Sequence, residues 1–423
     1  MASFTESPSG IGNDYGLHLS VSPDGLSWMP LNQNNPIMTP AAGARGLRDP
    51  FILRKQDGTF EIIATDQRGQ VFSDRSQYVH VWDSPDLRTF TYRHLKLHEF
   101  ATHTWAPEAF WDSSRRQYAI MYSANVNGRD AFYVNYTTDF VNVSAPQLFF
   151  DPGFNVLDGT MHLGKDMNYL YYKSFADGRL YGARSATLEP GSFDRGTYTS
   201  GLIQGGAIEA PIVNKADNSS TWYLWGDSFV PVNGEFYVWR SNDIGGDNWT
   251  PLSKKDYNQP LNSKHSSIAS ITATEMTQLI NRWGTPAWNR IKSYNLPDSY
   301  IRHANHVGRI DPYPFDPYPD SQWRLVPGLA DPNAVSFQSV NFPNQYLRSR
   351  GGPVVLAVDD NSAAFKADAT FARVPGLADS GWTSFRSIVD PARYLRHVNN
   401  ILRVDPIGGG VTERQDATFS IVY

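Results

Sequence analysis

The stretch Tyr294-Asn295-Leu296-Pro297-Asp298-Ser299-Tyr300-Ile301-Arg302-His303 decides the fold of the last third of the chain, because it is repeated twice further on. The second copy runs over residues 340–349 (VNFPNQYLRS) and the third over residues 388–397 (IVDPARYLRH). Their tyrosines, Tyr300, Tyr346 and Tyr394, are 46 and then 48 residues apart. A unit this short cannot bury its own apolar face, so the three copies must share one core. The repeat predicts an all-β domain with pseudo-threefold symmetry, a β-trefoil, over residues 290–423.

Length and composition exclude several classes of protein. The 423 residues are enough for two or three domains, each with its own core. The net charge is −5 with no run of basic residues, which argues against a nucleic-acid partner. No apolar run reaches the length of a membrane span and the N-terminus lacks a signal pattern, so we expect a soluble chain whose export signal has been removed or never existed. We separately expect the protein to be a secreted monomer, with the signal peptide absent from this chain. The absence of cysteine excludes disulfides and thiolate metal sites.

Short strands separated by turn residues run through the whole sequence and indicate an all-β chain. Aromatic residues make up 13% of it, and strand formation explains most of them. Aromatic faces can also hold flat apolar surfaces, including the C–H faces of sugars. A helical spacing of apolar residues occurs over residues 272–283. Residues 284–289, which contain Gly284 and Pro286, are predicted to be a linker between a domain at 1–283 and the repeat domain.

A looser repeat lies within residues 1–283. Five strand candidates begin near Asp49, Glu108, Asp158, Glu209 and His265, at steps of 59, 50, 51 and 56 residues. This is the length of a four-stranded propeller blade, and five such blades use up the available chain. The strand candidate at residues 16–21 can complete the last blade and remove an exposed edge. Because the innermost strands of a propeller surround its axis, the five polar residues are predicted to converge on one pocket.

Carboxylates gathered around one axis shift one another's pKa values, because like charges disfavour double ionisation. Such a site can hold one acid protonated beside another that is ionised, and glycoside hydrolysis requires this division of roles. The alternative is that Asp49-Pro50 and Asp158-Gly159 are ordinary turn residues. The common register of all five positions with the blade period favours a site.

Four segments resemble the blade-opening motifs of glycoside hydrolase family 43: Arg48-Asp49-Pro50, Trp105-Ala106-Pro107-Glu108, Leu157-Asp158-Gly159 and Ile208-Glu209-Ala210-Pro211. The resemblance covers roughly residues 15–283 and implies a five-bladed propeller with an inverting mechanism that needs no cofactor for its chemistry. By match to the motifs, Asp49 is the general base that activates water, Asp158 tunes the pKa of the acid, and Glu209 is the general acid. Arg48, Trp105 and Glu108 are expected to contact substrate.

Two further positions, His265 and Glu108, each allow two interpretations. His265 resembles the axial histidine of the family, which often sits beside a water-coordinated calcium ion, so a structural calcium in the channel is expected near it. A purely structural histidine is the alternative. Glu108 stands where the family more often has aspartate, which leaves both a wall position and a substrate contact open.

The C-terminal repeat resembles the arabinose-binding modules of carbohydrate-binding family 42, over about residues 288–423. The resemblance implies that each copy can hold a terminal arabinofuranose through its Tyr, His and Asp residues. The first copy has Tyr300, His303, Asp311 and Asp320; the third has Tyr394, His397, Asp405 and Asp416; the second has Tyr346, Asp359 and Asp368. The second copy has Ser349 in place of histidine and an insertion before Asp359, so we expect a weaker site there. The alternative is that the Tyr and Asp residues only stabilise turns.

Together these features predict an exo-acting, inverting α-L-arabinofuranosidase that releases terminal arabinose from α-1,5-linked arabinan and arabino-oligosaccharides. Within the same class, the alternatives are an enzyme that removes arabinose side chains from arabinoxylan, or a β-xylosidase. In another class, the alternative is a lectin-like protein whose propeller only binds glycan. The three catalytic-type carboxylates argue against it, because a binding protein needs no paired acid and base.

Overall fold

The computed structural model describes residues 1–7, 13–194, 207–230, 232–246 and 248–423. They form two compact units, Met1–Thr285 and Pro286–Tyr423. Both units are built of antiparallel strands, so the predicted all-β class is confirmed. Among the described residues, the helices are all too short or too polar to cross a membrane.

The first unit is a five-bladed β-propeller, as predicted. In chain order its strands are β1 (Ala2–Thr5), β2 (His18–Val21), β3 (Met29–Pro30), β4 (Leu47–Arg54), β5 (Phe60–Asp66), β6 (Tyr78–Ser84), β7 (Thr91–Lys96), β8 (Trp105–Asp112), β9 (Gln117–Val126), β10 (Arg129–Thr137), β11 (Gln147–Phe150), β12 (Val156–Leu163), β13 (Asn168–Ser174), β14 (Leu180–Ser185), β15 (Ala207–Lys215), β16 (Trp222–Val230), β17 (Glu235–Ser241), β18 (Thr250–Pro251) and β19 (Ser263–Ser267). Blade I is β4–β7, blade II β8–β11, blade III β12–β14 and blade IV β15–β18. The first strands of the blades contact one another in a ring around the axis.

Blade V closes the ring by combining the two ends of the unit. Its strand order is β19-β1-β2-β3, so its inner strand comes from residues 263–267 and its other three from the first 30 residues. The sequence analysis placed residues 16–21 in this blade, and β2 does lie there. It missed β1, which pairs directly with β19 and separates it from β2. A four-residue strand gives too little periodicity to be recognised from sequence.

Every inner strand carries a β-bulge in its first half. The register with the neighbouring strand shifts after Arg48, Trp105, Leu157 and Glu209, and again where β1 pairs with β19. At each bulge one residue other than glycine has a positive φ: Asp49, Ala106, Asp158, Ala210 and His265, at 50°, 45°, 53°, 53° and 35°. Bulges near functional sites re-aim side chains. Here they turn one residue per blade out of the regular pleat at the same end of the ring.

A single α-helix follows blade V. The helix α1 spans Ala273–Trp283 and begins with a capping box between Thr272 and Glu275, as the sequence predicted for residues 272–283. Leu279 on its apolar face is buried in the core formed by blades V and I. Gly284 ends the helix with a φ of 75°, which glycine adopts without strain.

The second unit is a closed barrel with a shared core. Its elements are β20 (Arg290–Ser293), β21 (Ser299–Ala304), β22 (Val307–Pro312), β23 (Trp323–Pro327), β24 (Val335–Ser339), β25 (Gln345–Ser349), β26 (Val354–Val358), α2 (Ala363–Asp368), β27 (Phe371–Pro375), β28 (Thr383–Ser387), β29 (Arg393–Val398), β30 (Ile401–Pro406), α3 (Val411–Asp416) and β31 (Phe419–Val422). Nine of these strands close a ring through the pairing of β21 with β22. The three copies of the repeat contribute Ile301, Leu347 and Leu395 to one buried cluster, together with Phe337 and Phe385.

Short helices were not predicted in this unit. The helices α2 and α3 end at Asp368 and Asp416, and a 3₁₀ turn at Tyr318–Ser321 contains Asp320. These three aspartates occupy equivalent positions in the copies of the repeat, each three residues before an aromatic residue: Trp323, Phe371 or Phe419. Six-residue helices are too short for helical periodicity to reveal them, but their equivalent positions show that each copy of the repeat has the same local structure.

Candidate active site

Asp49, Asp158 and His265 meet at the axis of the propeller. The Nδ1 atom of His265 lies 3.0 Å from Oδ1 of Asp49 and 3.9 Å from Oδ1 of Asp158. All three are the positive-φ residues of their bulges, so the same backbone feature in three blades brings them together. One imidazole thus contacts carboxylates from blades I and III.

Hydrogen bonds fix both carboxylates, from within blade I for Asp49 and from blade IV for Asp158. Thr65 donates its hydroxyl to Oδ2 of Asp49 at 2.8 Å and accepts the backbone N–H of Ala106 at 2.9 Å. The N–H of Ala210 donates to Oδ2 of Asp158 at 3.1 Å. Ala106 and Ala210 are the bulge residues of blades II and IV. The bulges without an ionisable side chain therefore help to hold the carboxylates of the blades before them.

The two aspartates differ in charge. Burial opposes ionisation of Asp49, but His265 and Arg48 hold the pKa of Asp49 below its ordinary value. Burial raises the pKa of Asp158 to about 6 against the charge of His265, and the negative charges of Glu209 and Asp49 add to the rise. Burial disfavours the charged form of His265, yet Asp49 and Asp158 raise its pKa to about 10. At neutral pH the centre therefore contains an ionised Asp49 beside an imidazolium.

Glu209 is held by two lysines. Lys173 donates to its Oε2 at 2.9 Å, and Lys264 donates to its Oε1 at 3.3 Å. Burial opposes ionisation of Glu209, but the charges of these lysines lower its pKa to about 2. Because the register shift follows Glu209, this residue lies one position before the bulge rather than on it. Glu209 is therefore ionised at neutral pH.

Asp227 is a further buried carboxyl group at the site, and it is not among the residues predicted from the sequence. It lies opposite Glu209 on the adjacent strand β16. Its Oδ2 accepts the N–H of His265 at 3.3 Å and lies 3.8 Å from Nζ of Lys264. Burial raises the pKa of Asp227 to about 7, against the opposing charge of Lys264. Lys264 is thus shared between two carboxyl groups, and the cross-strand pairing that brings them together is not visible in sequence spacing.

Glu108 occupies a different position from the other predicted residues. It lies two residues beyond the bulge of blade II, where its Oε2 accepts the N–H of Met161 in blade III at 3.0 Å. Burial raises the pKa of Glu108 to about 8. Trp105, at the start of the same strand, stacks on His103 with ring centroids 3.6 Å apart. Glu108 therefore joins two inner strands, while Trp105 presents a ring at the mouth of the site.

Arg48 is anchored by a residue from the N-terminal segment. Its Nη1 donates to Oε1 of Glu6 at 2.8 Å, and both side chains are buried. Glu6 also accepts from Asn233 at 2.8 Å, and Asn233 in turn accepts from Lys264 at 2.6 Å. A continuous polar chain therefore connects the arginine beside Asp49 with the lysine that binds Glu209. Glu6 and Asn233 lie outside the blade-opening motifs, so no motif in the sequence marks them as site residues.

In the second unit, the first and third copies of the repeat form similar clusters. His303 contacts Oδ1 of Asn341 at 3.1 Å and Asp320 at 3.3 Å. His397 contacts Oδ1 of Asn295 at 3.0 Å and Asp416 at 3.6 Å. Each histidine thus meets an asparagine from the next copy. Burial lowers the pKa of both histidines, so they are neutral.

The tyrosine and second aspartate of these two copies lie on neighbouring strands. Tyr300 stands opposite Asp311, and Tyr394 stands opposite Asp405. Tyr300 is buried. Arg302 and Arg396 bind Asp320 and Asp416 at 2.9 and 3.0 Å, respectively.

The second copy lacks several of these groups. Ala357, and not Asp359, stands opposite Tyr346, and Ser349 replaces the histidine. By the spacing of the repeat, the asparagine position is taken by Val389, whose side chain is exposed. Arg348 still binds Asp368 at 2.8 Å. The structural ion pair is therefore kept in all three copies, while the polar groups around the histidine are not.

One further cluster has the composition of a metal site. Asp66, His80 and His94 lie on one face of blade I, with ligand atoms within 4.8 Å of one another. Asp66 accepts hydrogen bonds from Ser76 at 2.7 Å and from the N–H of Ala44 at 2.8 Å, and lies 3.1 and 2.9 Å from the two histidines. These contacts fill the acceptor positions of the carboxylate. The arrangement is that of a hydrogen-bonded network that orders the neighbouring loops.

The residues around His265 do not offer the set of free oxygen ligands that a directly bound calcium ion needs. The Nδ1 atom of His265 faces Asp49 and Asp158, and both lysines near Glu209 carry positive charge. Direct calcium binding requires several free oxygen ligands. The carboxylates described here already contact cationic side chains.

The first unit is thus a five-bladed propeller with buried carboxylates gathered at its axis, and the second is a closed barrel built from three repeats. The family model described as "Probable glycosyl hydrolase domain", which is related to glycoside hydrolase family 43, matches residues 1–277. The chain belongs to this family. A second model, "Alpha-L-arabinofuranosidase B (ABFB) domain", matches residues 289–421.

The alignments with individual curated relatives cover only part of each relative's length. An α-L-arabinofuranosidase from Bifidobacterium longum subsp. longum is 24% identical over 69% of this chain and 29% of its own. An extracellular exo-α-(1→5)-L-arabinofuranosidase from Streptomyces avermitilis is 46% identical over 31% of this chain and 27% of its own. The chain thus spans less than a third of these curated relatives.

Solved structures are more distant. An exo-β-1,3-galactanase from Clostridium thermocellum aligns over 88% of this chain and 95% of its own, with 12% identity and a TM-score of 0.44. The catalytic domain of a Coprinopsis cinerea α-L-arabinofuranosidase of family GH62 aligns over 64% and 80%, with 17% identity and a TM-score of 0.40.

Proposed function

We propose that the chain is an inverting, exo-acting α-L-arabinofuranosidase that releases terminal arabinose from α-1,5-linked arabinan and arabino-oligosaccharides. Its membership of a glycosyl hydrolase family supports the reaction class. The ABFB domain and the names of the two curated relatives support arabinose as the sugar. The observation that carries the proposal is the convergence of Asp49 and Asp158 on His265, with Glu209 separately held by two lysines.

In this proposal Asp49 is the general base. Its lowered pKa keeps it ionised, so it can accept a proton from a water molecule that attacks the anomeric carbon. Thr65 and His265 hold both of its oxygens in place. Asp158 is proposed to shift the pKa of Glu209 through its charge. Its carboxylate accepts the N–H of Ala210, the residue that follows Glu209 in the sequence.

Glu209 is the proposed general acid, and its environment sets a condition on this role. A general acid must be protonated before it can donate to the leaving oxygen. Lys173 and Lys264 keep most of Glu209 ionised, so only a small fraction of the free protein carries the proton, and a bound sugar that weakens either contact would enlarge this fraction. Arg48, Trp105 and Glu108 are proposed to contact the substrate from blades I and II.

The second unit is proposed to be a β-trefoil that binds arabinofuranose through its first and third copies. Three equivalent groups of four strands around one core support the trefoil, and the matching clusters at His303 and His397 support two sites. We further propose a linker at residues 284–289, a secreted monomer, and a structural calcium ion that reaches His265 through water. This ion would take no part in the reaction itself.

The experiment that tests the activity is incubation with linear α-1,5-arabinohexaose, with products followed by chromatography over time. Free arabinose from the first time point, with oligomers shortening by one unit, supports the proposal. Arabinose from arabinoxylan alone would assign the debranching activity, and xylose from xylo-oligosaccharides would assign a β-xylosidase. No release from any substrate would favour a glycan-binding protein. The Asp49→Asn variant is the control for contaminating glycosidases.

A further inference from the structure

A short segment of blade I reaches over the site. We define the strap as residues 67–77, which connect β5 to β6. Its ends are tied together through Asp66, which precedes the strap and accepts the hydroxyl of Ser76 at 2.7 Å. Gln77 donates to Phe100 O at 2.7 Å, and Thr104 donates to Ser76 O at 2.9 Å. The strap is therefore fixed at its base to blades I and II.

The tip of the strap carries Phe72, whose side chain lies above the site. The ring of Phe72 is 5.9 Å from Trp105 in blade II and 6.4 Å from Phe229 in blade IV, both in edge contacts. The guanidinium of Arg48 lies 5.7 Å from its centre. Blades I and IV are not neighbours in the ring, since blade V lies between them. The contact between Phe72 and Phe229 therefore bridges two blades that are not adjacent, and the contact with Arg48, which interacts with Asp49 and Glu209, places it beside the axial site.

Phe229 connects this contact to the proposed acid. Nζ of Lys264, which binds Glu209, lies 4.9 Å from the centre of the Phe229 ring. The side chain of Lys264 is only 1% exposed. Phe72 itself is 44% exposed although it contacts two aromatic rings and a guanidinium. One face of the ring thus covers the site, while the rest of it is open to solvent.

We propose that Phe72 on the strap is the specificity-determining residue that closes one side of the site, so that only the end of a glycan chain can enter. This inference rests on the proposed glycosidase function and gives the physical basis for its exo action. A glycan chain that extended beyond the site on both sides would collide with the Phe72 and Phe229 rings, which are in contact with each other. The exposed part of the Phe72 ring is apolar and flat, and it suits the C–H face of the sugar next to the scissile bond.

The test compares four proteins on arabinohexaose labelled at its reducing end: the wild type, Phe72→Ala, Phe72→Tyr and Val71→Ala. Val71 is the neighbouring exposed residue of the strap and is the matched control. We expect the wild type and Val71→Ala to give labelled products that shorten by one unit. Phe72→Ala should give labelled products shortened by several units from the first time points, and a KM about 2- to 10-fold higher. Phe72→Tyr keeps the ring and should behave as the wild type.

A second measurement needs no turnover. Modification of Lys264 by a small amine-reactive reagent, followed by peptide mass spectrometry, should be several-fold faster in Phe72→Ala than in the wild type or Val71→Ala. Unchanged modification of Lys264 would overturn the covering role of Phe72. Faster modification with an unchanged product series would overturn its role in chain-end selection. If the wild type releases no sugar from any substrate, the proposed activity fails, and the modification rates still decide whether Phe72 covers the site.

Discussion

Replacing Lys173 with methionine should extend activity to higher pH. Methionine preserves most of the length and apolar stem of lysine but removes the charge and the 2.9 Å hydrogen bond to Glu209. Glu209 keeps Lys264 as its remaining partner, at 3.3 Å. Both effects of Lys173 stabilise ionised Glu209, so their loss raises the pKa of Glu209 and makes a protonated acid more abundant.

The size of the effect follows from the environment of Glu209. The two lysines lower its pKa from 4.5 to about 2 despite burial. An opposite charge at this distance changes a carboxyl pKa by about 1–3. Since each pKa unit is a tenfold change in the protonated fraction above the pKa, the fraction of active protein at pH 6 should rise at least roughly tenfold. Full return to the ordinary value of 4.5 sets a ceiling of about three-hundredfold.

The assay is the pH dependence of kcat/KM for arabinose release from arabinohexaose between pH 3 and 9, because this ratio reports the ionisation of the free enzyme. The alkaline limb of the profile should move to higher pH by about one unit or more in Lys173→Met. Lys215→Met, which changes a lysine near Trp222 away from the axis, should leave the profile unchanged. An alkaline limb that stays in place or moves to lower pH would refute Glu209 as the acid under lysine control.

Three further predictions concern separate parts of the molecule. Asp49→Asn should lower kcat by roughly 10²–10⁴-fold while retention on insoluble arabinoxylan stays unchanged; kinetics and a pull-down measure both, and residual activity near the wild-type level would remove Asp49 from the mechanism. His303→Ala combined with His397→Ala should weaken this retention but not cleavage of small substrates, whereas Ser349→Ala should change neither; equal losses on both substrate types would contradict separate roles. Phe337→Ala should destabilise the second unit by about 3–5 kcal/mol in denaturant unfolding, because Phe337 is fully buried against Phe385; a loss below about 1 kcal/mol would show that the three copies do not share one core.

The fold was predictable where the sequence repeats itself. Periods of about 46–48 residues in the second unit and of 50–59 residues in the first mark units that cannot bury their own cores, and both numbers follow from residue spacing alone. The strand β1 and the helices α2 and α3 were missed because four to six residues are too few for a periodic pattern. Their placement depends on pairing partners far away in sequence, such as β19 for β1.

The site was predictable to the extent that its residues open the blades. Asp49, Asp158 and His265 occupy equivalent bulge positions and meet as expected, whereas Glu209 lies one residue before its bulge and Glu108 two residues after. These shifts of one and two residues depend on where each strand breaks register, which the motif itself does not encode. The lysines and Asp227 became visible only through cross-strand neighbours, since their charge balance is a property of the assembled ring.

The five bulges share one backbone geometry but carry different side chains. Each blade offers one backbone position with the same left-handed geometry, at the same end of the axis, and two of the five hold alanine. Asparagine and aspartate adopt this geometry more readily than alanine does. Ala106 and Ala210 are therefore the two bulge positions at which asparagine or aspartate would relieve backbone strain, although both sites are buried and a larger side chain there needs space. The propeller provides a scaffold in which functional groups can be exchanged blade by blade.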